Sequence, residues 1–217
     1  MKNILIIGLG RFGSAMVKPL SELGNQVVVC DTDEEKVARV LPYTAGAKIG
    51  DCTNEKFISS LGVEDFDLVF VTIGESIQNS LVVVTLLKDL GAKRICAKAG
   101  SDMHEKLLLR LGADKVIFPE RDAGLRFANI YGRESVFECI ELAEGYSAYE
   151  IAVPSQWAGK SVKELNVRAT YGVNILGIKK EGAKSLNPNI GPDLVFEKGD
   201  VVMLVGDAAC FAKILNK

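Results

Sequence analysis

Up to about residue 130, short continuous apolar runs alternate with stretches of helical periodicity. Residues 3–8 (NILIIG), 26–30 (QVVVC), 45–50, 68–73 (LVFVTI), 94–99 and 115–118 are short, apolar and rich in Val and Ile, and they predict strands. Residues 12–23, 33–41, 55–61, 77–90 and 103–111 carry the three-to-four spacing of helices, and Pro119 opens a further helix to about residue 130. Gly24, Gly62, Gly91 and Gly112 stand just past four of these helix ends, the punctuation that helix termini favour. Strands apolar on both faces and alternating with helices predict a parallel sheet covered on both sides. The fold class that follows is α/β, a Rossmann doubly wound sheet.

After about residue 133 the pattern changes. Residues 136–143, 149–154, 172–179 (GVNILGIK) and 201–205 read as strands, 162–165 as one helical turn, and 208–215 as a closing helix. Residues 184–193 contain Pro188, Gly191 and Pro192 and read as a loop. Strands joined by turns predict a small antiparallel α+β lobe. The expected organisation is therefore a Rossmann domain over 1–132 and a C-terminal lobe over 135–217.

Composition narrows the function classes. Lys and Arg number 26 against 28 Asp and Glu, so the formal charge is −2. That balance leaves no electrostatic footprint for nucleic acid or an anionic membrane. No apolar run approaches the roughly 18–20 residues that span a bilayer. Met1-Lys2-Asn3 leads straight into the first strand, with no secretory leader pattern. A cytoplasmic location is expected, with any membrane role exercised through a partner. Cys30, Cys52, Cys96, Cys139 and Cys210 are odd in number and lack metal-finger spacing, so they read as buried free thiols in a reducing compartment.

The sharpest motif is Gly8-Leu9-Gly10-Arg11-Phe12-Gly13, between the first strand and its helix, with Asp31 following at the end of the second strand. Gly8 permits the tight turn, Gly10 leaves room for a phosphate, and Gly13 lets helix and strand approach. The helix N-terminus offers free N–H groups to an anion, and Asp31 can accept from ribose hydroxyls. Asp31 and Asp33 together repel a 2′-phosphate, which disfavours NADP. Arg11 suits a phosphate-rich ligand such as ATP or ADP; it also reads as an exposed arginine at a helix start. Asp51 and Cys52 after the third strand, Thr72, Ile73 and Gly74 after the fourth, and Lys98 after the fifth all fall at carboxyl ends of strands, where open α/β sheets bind ligands. Asp51 reads equally as an N-cap, and Lys98 equally as a surface residue. Glu120 after the sixth strand reads from physics alone as a residue matched to a helix dipole.

Catalytic signatures are missing. No GxSxG, HExxH or GxxxxGK[ST] occurs, and no Tyr is followed four positions later by Lys. The single histidine, His104, reads as a surface helix residue. An NAD-dependent oxidoreductase needs a positioned acid or base that this sequence does not supply. A stand-alone nucleotide or cyclic-dinucleotide sensor is the other alternative.

Several runs together resemble one family: IIGLGRFG at 6–13, VVVCDTDEEKV at 27–37, GDCTNE at 50–55, VTIGESIQNS at 71–80, LGADKVIFPERDAG at 111–124 and GKSVKELNVRATYGVNILGIKKEG at 159–182. The chain resembles the RCK (regulator of potassium conductance) proteins, close to the Trk/Ktr-type potassium-uptake subunits, over essentially its whole length. The resemblance implies a non-enzymatic regulatory subunit with an RCK N-terminal and an RCK C-terminal domain. It implies homodimers assembled into an octameric ring on the cytoplasmic face of a membrane-embedded potassium-conducting subunit. ATP or ADP, or in some members NAD or NADH, would occupy the Rossmann cleft, held by Gly8, Gly10, Gly13 and Asp31. Arg11 would reach terminal phosphates, and Glu120 would join an inter-subunit site for a divalent or monovalent cation. The C-terminal lobe resembles those that bind cyclic di-AMP between two copies, with Arg168, Asn174, Ile175 and Pro192 as the corresponding residues.

Overall fold

The computed structural model describes residues 1–74, 76–143 and 145–215. Glu75, within the 71–80 run, and Glu144 lie outside the described residues. The chain forms two compact units, Met1–Glu120 and Arg121–Lys217. The boundary read from the sequence follows the helix opened by Pro119; the division between units falls at that helix's first turn.

In chain order the first unit contains β1 (Asn3–Ile7), α1 (Arg11–Glu22), β2 (Gln26–Asp31), α2 (Glu34–Val40), β3 (Gly46–Ile49), α3 (Glu55–Ser59), β4 (Leu68–Val71), α4 (Ile77–Asp89), β5 (Ile95–Lys98), α5 (Asp102–Arg110) and β6 (Lys115–Ile117). The strands lie in the order β3-β2-β1-β4-β5-β6, every neighbouring pair parallel. This is the expected doubly wound sheet. Its order reverses between β1 and β4, and the crevice outside that switch point is where such sheets take ligands.

The pleat of β1 explains why both faces are covered. Leu5 and Ile7 point into one core, with Val69, Val71, Val83, Leu87 and Leu108. Ile4 and Ile6 point into the other, with Val17, Val27, Val29 and Val37. Successive side chains on opposite faces are the period-two geometry of a strand, here with both faces apolar. Fully burying each such side chain stabilises the fold by about 1.5–3 kcal/mol.

α6 (Pro119–Tyr131) spans the division, and the second unit continues with β7 (Val136–Ala143), β8 (Tyr146–Ala152), α7 (Val162–Leu165), α8 (Val167–Tyr171), β9 (Asn174–Lys179), β10 (Val201–Asp207) and α9 (Ala208–Leu215). Its sheet is antiparallel in the order β7-β8-β10-β9. Trp157, Phe196 and Phe211 are fully buried in its core. Trp157 packs on Tyr171 and Phe196 with ring centroids 5.3 and 5.5 Å apart.

Two elements differ from the expectation. β8 begins at Tyr146 and not at 149, because its pairing with β7 extends to Ala143↔Tyr146. The helical turn at 162–165 is followed by a second short helix, α8. Asn166, in the left-handed conformation with φ 41°, ends α7 and starts α8. Asn tolerates that conformation better than most residues, and it breaks the periodicity on which a sequence reading depends.

His104 also differs. It is buried at the start of α5, not at the surface. Its Nδ1 accepts from the Gly100 N–H at 3.2 Å, so Nε2 carries the hydrogen and meets Ser80 Oγ at 2.7 Å. Ser80 Oγ in turn donates to the Ile77 carbonyl at 2.9 Å. His104 and Leu108 stand one turn apart and face the same core. Burial pushes the imidazole pKa below its ordinary value of 6.5. The neutral ring therefore stabilises the fold fully above the unfolded-state pKa, and this contribution is lost as pH falls toward the lower folded-state value. Urea midpoints measured between about pH 7.5 and 5.5 should fall, and His104→Gln, less stable at neutral pH, should flatten that pH dependence. An unchanged slope in the variant would remove His104 from the acid sensitivity.

Candidate functional site

The glycine loop between β1 and α1 is held from below by β4. Gly8 takes φ +96°, and a Cβ there would stand 3.0 Å from the Ile73 nitrogen. The Thr72 hydroxyl donates to the Gly8 carbonyl at 2.5 Å. Under the same carbonyl lies Gly13, where a Cβ would come 2.1 Å from Gly8 O and 2.5 Å from Thr72 Oγ1. Gly10 is the opposite case, since nothing stands within 4 Å of an added Cβ. The three motif glycines therefore answer to three needs: backbone conformation, helix–strand contact, and open space above the loop.

Helix starts separate the site from the scaffold. α2, α3, α4 and α5 are each capped by a side chain: Asp33, Asn54, Ser76 and Ser101 accept from first-turn N–H groups. α1 has Gly10 at its N-cap, no side-chain cap and no acidic residue in its first turn. Its first N–H groups and the positive end of its dipole are left for another acceptor.

Asp31 braces this loop. Its Oδ2 accepts from the Leu9 N–H at 2.5 Å and its Oδ1 from the Asp33 N–H at 2.9 Å. Each carboxylate oxygen keeps acceptor capacity for a further donor. Gly8, Gly10, Asp31, Asp51, Cys52, Thr72, Ile73 and Gly74 line one crevice of about 220 Å³ at the carboxyl ends of β1 to β4. The sequence reading missed Lys36, Ser76 and Asn79, which also line it. Lys36 stands in the first turn of α2, with its Nζ 3.8 Å from Asp33.

Asp51 is not the N-cap of α3. It accepts from the Thr53 N–H and hydroxyl at 2.9 and 2.8 Å, and Asn54 performs the capping. Arg11, Phe12 and Lys98 do not line the crevice, and Gly13 acts beneath it. Lys98 Nζ stands beside Gly74, 3.5 Å from where its Cβ would be, and donates to Glu120 Oε1 at 2.7 Å. The Lys98 hydrogen bond, with Arg11 adding a smaller attraction, holds the Glu120 carboxyl below the usual carboxylate range. Lys98, Glu120 and Arg11 thus form a charged cluster at the rim. Among the described residues no three His, Cys, Asp or Glu side chains gather into a metal cage.

In the second unit Arg168, Asn174, Ile175 and Pro192 line one open cavity of about 570 Å³, with Lys163 and Ile190. The Lys163 N–H donates to the Pro192 carbonyl at 2.9 Å, which ties the loop to α7. Among the described residues no helix is long and apolar enough to cross a membrane.

A doubly wound parallel sheet with a glycine loop at its switch point, followed by a small antiparallel lobe, defines a two-domain protein with a Rossmann-type first unit. The TrkA-N domain family matches residues 4–119 and the TrkA-C domain family residues 147–217. The chain belongs to the RCK family and is of the Trk/Ktr potassium-uptake type. It is 39% identical over 205 residues to the Ktr system potassium uptake protein C of Bacillus subtilis (strain 168), covering 94% of this chain and 92% of that protein. Identity with the Ktr system potassium uptake protein A of the same organism is 38%, covering 94% and 91%. Among solved structures, the GsuK channel bound to NAD superimposes with TM-score 0.69 at 18% identity, covering 100% of this chain and 40% of that chain. At that identity the likeness shows the fold.

The Gly13 contact yields a direct test. Gly13→Ala should destabilise the chain by about 1–3 kcal/mol, read as a lower urea midpoint, because backbone must shift to admit the methyl. Gly10→Ala, facing open space, should cost far less stability; equal losses would show that the close approach is not what position 13 requires.

Proposed function

We propose that the chain is the cytosolic, nucleotide-sensing regulatory subunit of a potassium-uptake system and not an enzyme. In this reading its dimers assemble into an octameric ring on a membrane-embedded potassium-conducting subunit, peripheral to the inner face of the cell membrane. The observation that carries the proposal is the uncapped start of α1 over Gly10, with Asp31 at the edge of the same crevice. An adenine nucleotide supplies what those groups lack: phosphate oxygens for the N–H groups and ribose hydroxyls for the carboxylate. The names of the relatives, potassium uptake proteins of Ktr systems, support the transport role. The NAD-bound GsuK channel supports a nucleotide in this fold.

Arg11, exposed beside the loop, is assigned to the terminal phosphates, including those of a neighbouring subunit. Glu120 is assigned to a cation held between carboxylate and phosphate; Lys98 holds the same carboxylate in the single chain. In the second unit Arg168 would pair with a phosphate of cyclic di-AMP, Asn174 would hydrogen-bond, and Ile175 and Pro192 would pack on a base. A ligand shifts such a ring only through its differential affinity for two shapes. Near-complete switching requires about 10⁴-fold, which a ring of subunits divides over its sites.

Calorimetric titration of the purified chain with ATP, ADP, NADH and cyclic di-AMP tests the proposal. Saturable binding of at least one adenine nucleotide is expected, and heat from none of them would sink it. Arg11→Ala should remove the preference between ATP and ADP while leaving ADP binding nearly unchanged. Arg168→Ala should weaken cyclic di-AMP by roughly ten- to a hundredfold, the loss of a charged hydrogen bond. Light scattering on the nucleotide-loaded chain should report an assembly larger than a dimer; a discrete dimer would leave only a stand-alone sensor.

A further inference from the structure

Cys30 and Cys52 come from different strand ends and meet at the wall of the crevice. Cys30 is on β2, next to Asp31, and Cys52 follows Asp51 in the turn after β3. Their sulfurs are 3.3 Å apart. Both side chains are buried, at 0% and 5% exposure, and both line the crevice assigned to the nucleotide. No other pair of the five cysteines is described in contact; Cys96, Cys139 and Cys210 are free thiols elsewhere in the two units. Packing alone does not require two thiols here. A pair of apolar side chains would fill the same space, and buried structural cysteines are inert because nothing reaches them. These two differ in having the crevice on one side and each other on the other.

We infer that Cys30 and Cys52 form an oxidisable dithiol site, converted by a hydroperoxide to an intramolecular disulfide when the crevice is empty and shielded when a nucleotide fills it. This rests on the nucleotide reading of the crevice for its second half only. The chemistry balances without a metal or cofactor. One sulfur, as thiolate, attacks a peroxide oxygen; the O–O bond breaks, the sulfur becomes a sulfenic acid, and hydroxide leaves. The second thiolate attacks that sulfur, the S–S bond forms, and a second hydroxide leaves with the thiol proton as water. Net, two thiols and one hydrogen peroxide give one disulfide and two waters. The hydrogen bond from Cys52 lowers the Cys30 thiol below its ordinary pKa and raises that of Cys52, while burial and the carboxylates of Asp31 and Asp51 oppose ionisation of both.

Closing the bond to about 2.05 Å draws the sulfurs together by about 1.3 Å. The movement falls on the turn that carries Asp51 and Thr53, since Cys30 is fixed in a central strand paired on both sides. The strand order puts that turn against the Asp31 edge of the crevice. A disulfide there changes the space in which the ribose and base would lie, so oxidation and nucleotide occupancy act on one site.

The experiment uses the purified full chain, reduced and freed of reductant, then treated with hydrogen peroxide with and without ATP. Free thiols are blocked, the protein is digested without reduction, and peptides are mapped by mass. A cross-linked pair joining Cys30 to Cys52 is expected, lighter than the two thiol peptides by two hydrogens and absent from Cys52→Ser. With ATP at about ten times its dissociation constant, cross-linking should slow roughly elevenfold, because only the empty fraction admits peroxide. Cys30 and Cys52 recovered as thiols under conditions that oxidise Cys96, Cys139 or Cys210 would overturn the inference. So would their separate conversion to sulfinic acids. Calorimetry on the same reduced preparation separates the two readings. Cross-linking in a chain that takes up no nucleotide supports the dithiol site and fails the nucleotide crevice. A chain that binds ATP yet cross-links at the same rate with and without it overturns the shielding.

Discussion

The site depends on one close approach, that of α1 to the end of β1. Gly13 sits so near the Gly8 carbonyl that no methyl fits between them, and Thr72 donates its hydroxyl to that carbonyl from the neighbouring strand. This fixes where the helix begins and which way its first N–H groups point. It also couples the loop to both sides of the switch point, since Thr72 belongs to β4's end and Asp31, which binds the Leu9 N–H, to β2's end. A loop held from both directions is set before any ligand arrives, so little ordering entropy remains to be lost on binding.

The contrast among helix starts extends this. Four helices of the first unit satisfy their first turns with Asp33, Asn54, Ser76 and Ser101, as folding alone would favour. α1 has Gly10 in that place, which forgoes only about a few tenths of a kcal/mol relative to a side-chain cap. Free N–H donors above a vacant Gly10 position are a local weakness that a bound anion would offset. Stability and ligand affinity are linked through the same groups, since an anion bound there stabilises the folded chain.

Much of this was legible from the residue order. The continuous Val/Ile runs, the glycines after helices and the spacing from Gly8 to Asp31 carry the parallel sheet and its crevice. These are local signals, each strong within a few residues. What the order did not carry depends on neighbours distant in sequence. His104 looks polar and superficial until Ser80 and Gly100 close around it from other elements. Asp51 has the composition of a cap, yet Asn54, one turn later in the same segment, takes that role. The restart at Asn166 hid α8 because a single left-handed residue resets the helical phase. Lys36 projects into the crevice from a helix face that only the packing of α2 on β2 defines. The proximity of Cys30 and Cys52 belongs to the same group, since it follows from the pairing of β2 with β3 and from no spacing rule.

The single tryptophan gives the molecule a built-in optical probe. Trp157 is fully enclosed between Tyr171 and Phe196, and its indole N–H meets no acceptor among the described residues. An indole in so apolar a setting emits to the blue, and all of that emission originates in the unit holding the smaller sheet. Gly10 belongs to the other unit, so the indole reports on the smaller lobe without touching the glycine loop.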